Sequence, residues 1–130
     1  MVLDMSSRIF CKFCKKNTEL IIEKTYAKAF FDKFPVSKGH IVIVPIRHVE
    51  TIFELKDYEI REIIELIGEI KIFLDELYSP DGYNIGTNCG EIAGQTIDHC
   101  HIHIIPRFKG DVSDPVGGIR GVIPNKRKYL

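Results

Sequence analysis

The chain has 130 residues, 45% hydrophobic and 28% charged, which suits one folded domain with a real core and excludes a disordered chain. Its 18 basic and 18 acidic side chains cancel, so a dedicated nucleic-acid or anionic-membrane surface, which needs a basic excess, is not expected. No apolar run approaches the ~18 residues of a membrane span.

The first eight residues lack the apolar centre of a secretion signal, which points to the cytoplasm. Cys11, Cys14, Cys89 and Cys100 are then expected as reduced thiols or metal ligands. Residues 19–26 and 28–32, rich in Ile, Phe and Tyr, predict two strands. Residues 40–45, His-Ile-Val-Ile-Val-Pro, predict a buried strand after a turn over 35–39. Asp57 is the expected N-cap of a long helix, because Ile60, Ile63, Ile64, Ile67, Ile70, Leu74 and Leu77 recur at three- and four-residue spacing. Ser-Pro-Asp-Gly at 79–82 ends it. A strand over 83–88, a Gly-containing loop over 89–95, a strand over 98–105 and a Gly/Pro-rich tail follow. Short turns between strands and one long amphipathic helix predict an α+β fold with an antiparallel sheet. Residues 1–130 read as a single domain, with a core over about 10–110 and a tail over 111–130.

Residues 99–105 read His-Cys-His-Ile-His-Ile-Ile. In a strand, side chains at spacing two share a face, so His99, His101 and His103 would stand together while Cys100, Ile102 and Ile104 face the core. Near neutral pH an imidazole can act as nucleophile, acid, base or metal ligand. Three readings fit the spacing: covalent attack by the central His101, a three-histidine metal site that activates water, and a purely structural cluster. Gly94 allows close approach of a ligand. The Gln95 amide, the Thr96 hydroxyl and loop N–H groups are suitable phosphate donors, and Asn88 adds another amide. No carboxylate interrupts the histidine run, and Asp98 alternates to the opposite face. Covalent catalysis on a phosphate is therefore favoured.

Cys11-Lys-Phe-Cys14 has zinc-knuckle spacing. A redox pair or two incidental thiols are the competing readings, but no thioredoxin-like context surrounds the pair. A closed tetrahedral site needs two further ligands, for which histidines are better placed than Cys89 or Cys100.

The segment from His99 to Ile105 resembles the His-φ-His-φ-His-φ-φ signature of the histidine triad (HIT) family, where φ is apolar. The flanking Gly94-Gln-Thr96 and Pro106-Arg107 are similar to common family usage, as is the segment from Gly39 to His48. Asp32, after Phe30 and Phe31, lies eight residues before His40, as a nucleotide-contacting acidic residue does in part of the family. The resemblance implies a HIT-like sheet and nucleotidyl hydrolase or transferase activity at an α-phosphate bearing a nucleoside. It implies His101 as the nucleophile, His103 as a phosphate contact and His40 as support for their charge state. Gln95, Thr96 and Asn88 would bind phosphates or the leaving group. Asp32 would bind the ribose, and Phe30 and Ile22 would line the base pocket. It further implies a structural zinc on Cys11, Cys14, His48 and His99, and a homodimer acting on an adenosine-containing substrate. Ala93 to Thr96 and Pro106-Arg-x-x-Gly-Asp111 resemble the fragile-histidine-triad branch, which cleaves dinucleoside polyphosphates. Asp32 and Asn88 resemble the nucleoside-phosphoramidase branch instead. Two other functions fit the same residues: a nucleotide-binding regulatory module with little turnover, and a zinc-dependent hydrolase with the triad as its metal site.

Overall fold

The computed structural model describes residues 11–14 and 20–129. The segment read for a secretion signal lies outside these residues, as does residue 19 of the first expected strand. Five strands, β1 (Leu20–Glu23), β2 (Ala27–Phe31), β3 (Ile41–Pro45), β4 (Gly82–Gly86) and β5 (Ile102–Arg107), form one antiparallel sheet in the order β1-β2-β3-β5-β4. One long helix, α1 (Asp57–Tyr78), joins β3 to β4. This is the expected α+β architecture. Among the described residues, no helix is long and apolar enough to cross a membrane.

The register sorts the sheet into two faces. Val42 in β3 pairs with Phe30 on one side and His103 on the other. Ile43 pairs with Ala29 and Ile102, and Ile41 with Ile104. Because side chains alternate, the second set turns to the helix. There Ala29, Ile41, Ile43, Ile102 and Ile104 pack with Ile63, Leu66, Ile70 and Leu74 in the main core. The opposite face carries a smaller core of Phe13, Phe30, Val42, Val44 and Cys11. The 11–14 segment thus covers part of the face that α1 leaves open.

Several expected boundaries move. The helix N-cap is Lys56, not Asp57; Asp57 is the first helical residue. The cap is supplied by Glu59, whose carboxylate accepts the Lys56 N–H at 2.8 Å, so Asp57 is left to favour the helix dipole from the first turn. The first expected strand stops at Glu23, and a turn carries the chain into β2. β4 ends at Gly86 rather than at 88. The histidine strand begins at Ile102, leaving His99 and His101 before it. The cause is local: Cys100 N–H donates to the Val49 carbonyl at 2.7 Å, and His101 Nδ1 bonds the His99 carbonyl at 2.8 Å. Both bonds replace ladder pairing. Side-chain alternation survives the bend, since Cys100 is buried in the main core.

Gly39 sets the entrance to β3. Its φ is +86°, and a Cβ there would stand 2.8 Å from the Tyr78 ring. Both backbone freedom and lack of a side chain are therefore required just before His40.

Candidate active site

On the face away from α1 lies a cleft of about 470 Å³, lined by Phe30, Asp32, His40, Asn88, Thr96, His101 and His103 among others. That volume lies within the range of small-ligand sites. The sheet register delivers Phe30, Val42 and His103 in one row. The loop from residue 88 to 97 brings Asn88, Gly94 and Thr96 to the same opening.

Hydrogen bonding dictates which nitrogen of each histidine carries the proton. The His99 carbonyl accepts a bond from His101 Nδ1 at 2.8 Å. A carbonyl can only accept, so Nδ1 carries the hydrogen and Nε2 of neutral His101 keeps its lone pair. The backbone of His101 is held as well, its carbonyl accepting the Thr87 hydroxyl at 2.7 Å.

His40 and His103 form a relay. Val36 N–H donates to His40 Nδ1 at 3.1 Å. Neutral His40 must then carry its proton on Nε2, which lies 2.9 Å from His103 Nδ1. His103 accepts there, so its own proton sits on Nε2. Burial pushes the pKa of His40 below its ordinary value, against the opposing charge of Asp32. Burial, then His101 and His40, depress His103 likewise. The cleft therefore pairs a lone-pair nitrogen on His101 with an N–H donor on His103, their ring centres 5.2 Å apart.

Asp32 is oriented by its own loop, accepting the Phe34 N–H on Oδ1 at 2.8 Å. Its Oδ2 stands 3.6 Å from His40 Nε2 and 3.8 Å from His103 Nδ1. These three residues could geometrically hold a cation. The His40 tautomer argues against it: with Val36 N–H on Nδ1, the proton occupies Nε2 and no lone pair faces an ion.

Two expected site residues are elsewhere. Gln95 is buried, and its amide is spent on the chain. Oε1 accepts Gly90 N–H at 2.8 Å, and Nε2 donates to the Glu50 and Ile97 carbonyls at 2.7 and 3.0 Å. It has no donor left for a phosphate and instead holds the loop that carries Gly94 and Thr96. Ile22 packs against the helix-side core, not the cleft. A register shift between Leu20 and Ile22 pairs it with Ala29 and turns it to that side.

His99 belongs to a different constellation. Its Nε2 donates to the Pro45 carbonyl at 2.8 Å, which leaves a lone pair on Nδ1. Burial lowers its pKa to about 4, so the ring is neutral at pH 7. Nδ1 lies 3.1 Å from His48 Nδ1, 3.5 Å from Cys11 Sγ and 3.4 Å from Cys14 Sγ, and Cys14 Sγ is 3.1 Å from His48 Nδ1. Tetrahedral zinc with ordinary bond lengths would separate such donors by roughly 3.3–3.8 Å. The donor set, its near-tetrahedral spacing and the His99 tautomer all fit a metal ion, so these four residues could hold one. The three triad histidines therefore do not converge on one ion, which removes the reading of the triad as a hydrolytic metal site.

The cleft also contains residues not singled out from the sequence. Phe13, between the two cysteines, lines it together with Lys12, Lys33, Phe34, Val36 and Ile97. An aromatic between paired cysteines was the available signal for Phe13.

The profile of the HIT domain family matches residues 14–110, and the chain belongs to that family. Among its relatives, an uncharacterised HIT-like protein of Methanocaldococcus jannaschii is 39% identical over 105 residues, covering 79% of this chain and 81% of the relative. The adenosine 5'-monophosphoramidase of Schizosaccharomyces pombe is 36% identical, covering 78% and 74%. The asymmetrical bis(5'-nucleosyl)-tetraphosphatase of the same yeast is 30% identical, covering 81% of this chain and 57% of the relative. Among solved structures, a HIT family protein from Bacillus anthracis superposes with a TM-score of 0.74 at 33% identity, covering 78% and 76%. A zinc-bound histidine triad protein from Mycobacterium smegmatis gives 0.73 at 26% identity, covering 82% and 81%.

Proposed function

We propose that this chain is a nucleotidyl hydrolase or transferase that cleaves at the α-phosphate of an adenosine-containing phosphate ester, anhydride or phosphoramidate. The observation that carries the reading is the tautomer of His101: Nδ1–H is tied to the His99 carbonyl, so Nε2 is a free nucleophile beside the His103 donor. In the first step the Nε2 lone pair attacks the α-phosphorus. The P–O or P–N bond to the leaving group breaks, and the leaving group takes the bonding pair, with a proton from solvent where it departs as an amine or alcohol. His103 N–H stabilises charge on the phosphoryl oxygens. In the second step water or another acceptor attacks the nucleotidyl-histidine, releases the nucleotide and restores the His101 lone pair. Phe30 offers an apolar face to the base, and Asp32 accepts from the ribose hydroxyls. Asn88 and Thr96 serve the phosphates. The names of the two yeast relatives support both leaving-group classes.

The Cys11, Cys14, His48 and His99 cluster is read as a structural zinc site, supported by its spacing and by the zinc-bound relative. Zinc supplies a rigid cross-link there; four protein ligands leave no open position for water. Reduced cysteines at such a site suit a cytoplasmic protein. A homodimer is supported by the exposed Ile60, Ile64 and Leu77 on α1 and Ile85 on β4. Steady-state turnover of diadenosine polyphosphates and adenosine phosphoramidates is the test. Release of adenosine monophosphate, lost in His101→Ala, is expected. Nucleotide binding with no turnover of either class would favour a regulatory module instead.

A further inference from the structure

Phe13 sits between two clusters that have no ligand in common. Along the chain it lies between Cys11 and Cys14. In space its ring centre is 5.0 Å from His101, tilted by 50°, 5.5 Å from Phe30, and 5.9 Å from His99 at an edge-to-face angle of 81°. It is only 4% exposed, yet it lines the cleft. The His101 imidazole is otherwise held by one hydrogen bond through Nδ1 and by edge-to-face contact with His103. The bond fixes the position of that nitrogen, and the angle of the ring about it is set by the rings packed against it. Phe13, tilted by 50° against the imidazole, restricts that angle.

We propose that Phe13 is a positioning residue that couples the Cys/His metal cluster to the nucleophile. With the cluster closed, the 11–14 segment is clamped to the sheet and Phe13 holds His101 at the angle that aims Nε2 into the cleft. With the cluster open, the segment loses its tether and the ring withdraws. The metal then acts on the chemistry from outside the cleft, through Phe13 packing beside the bond that the His99 carbonyl makes to His101. The inference rests on His101 as the nucleophile for its kinetic arm only.

The test compares Phe13→Ala with the wild-type protein, metal-loaded and after chelation. Histidine side-chain nitrogen NMR is the first readout. Metal-loaded wild-type protein should show one His101 tautomer, protonated on Nδ1. Phe13→Ala should broaden the His101 ring signals as the ring swings about its retained Nδ1 bond, with metal content unchanged. Chelated wild-type protein should reproduce that His101 signature. The second readout is the single-turnover rate, which should fall about 10- to 100-fold for a misaimed nucleophile, with Phe13→Tyr restoring most of it. Should Phe13→Ala release the metal, Phe13→Leu carries the same comparison, since it keeps apolar bulk beside the cysteines. A sharp, unchanged His101 signal in a metal-loaded Phe13 variant overturns the coupling. Absence of turnover in wild-type protein would instead defeat the catalytic reading, and the NMR comparison would still decide the role of Phe13.

Discussion

At the scale of single residues, proton placement decides what each histidine can do. His40 receives Val36 N–H on Nδ1 and so is held neutral with its proton on Nε2. A charged His40 would have to turn a second N–H against that backbone donor. Burial depresses both His40 and His103, so the relay persists below the ordinary histidine value of about 6.5. The acid limb of kcat should accordingly fall below pH 6.5. A limb at or above that value would mean that the relay is already charged near neutrality. Gln95 makes the opposite point, for its whole amide is committed to Gly90, Glu50 and Ile97. Gln95→Ala should cost about 2–3 kcal/mol of stability for the lost bonds and disturb kcat and KM together as the loop loosens. An unchanged Tm with a loss confined to kcat would restore it as a direct donor to the reacting phosphate.

At the scale of elements, the legibility of the sequence followed the range of the forces involved. Alternation across β2, β3 and β5 is local, so Phe30, Asp32, His40 and His103 line the cleft, although the histidine strand begins four residues later than expected. Ile22 failed because a register shift is set by a partner strand, not by its own neighbours. Phe13 was missed because the Cys/His set ties the 11–14 segment to the sheet without saying which way the side chain between the cysteines turns. The helix start failed for a similar reason. Glu59, 2% exposed, caps Lys56 and holds Arg47 through bonds of 2.7 and 3.2 Å, and a carboxylate three residues in outcompeted the expected cap. Glu59→Ala should therefore destabilise the fold by about 2 kcal/mol. Burial raises the Glu59 pKa, but Arg47 and the Lys56 N–H outweigh it and leave the folded value below normal. The sign follows: its contribution is complete above the unfolded value of about 4.3 and is lost as pH falls through the folded value. Urea titrations of both proteins should converge in acid; a difference that grows as pH falls would reverse the assignment.

At the scale of the whole molecule, one sheet serves two tasks. Its helix face is a plain apolar core, and its other face is divided between a Cys/His cluster and a cleft. Cys11→Ser with Cys14→Ser should release the metal and lower Tm, because ligation contributes to folding. Elemental analysis of protein purified without added metal should give one zinc per chain; a fully folded, fully active protein without metal would reject the site. The proposed chemistry is centred on the covalent step at His101. The direct measurement is to quench the protein during turnover of a diadenosine polyphosphate and map the modified peptide by mass spectrometry. The expected result is one adenylyl group on His101, absent from His101→Ala. Full turnover with no adduct, or an adduct carried by His103, would contradict it.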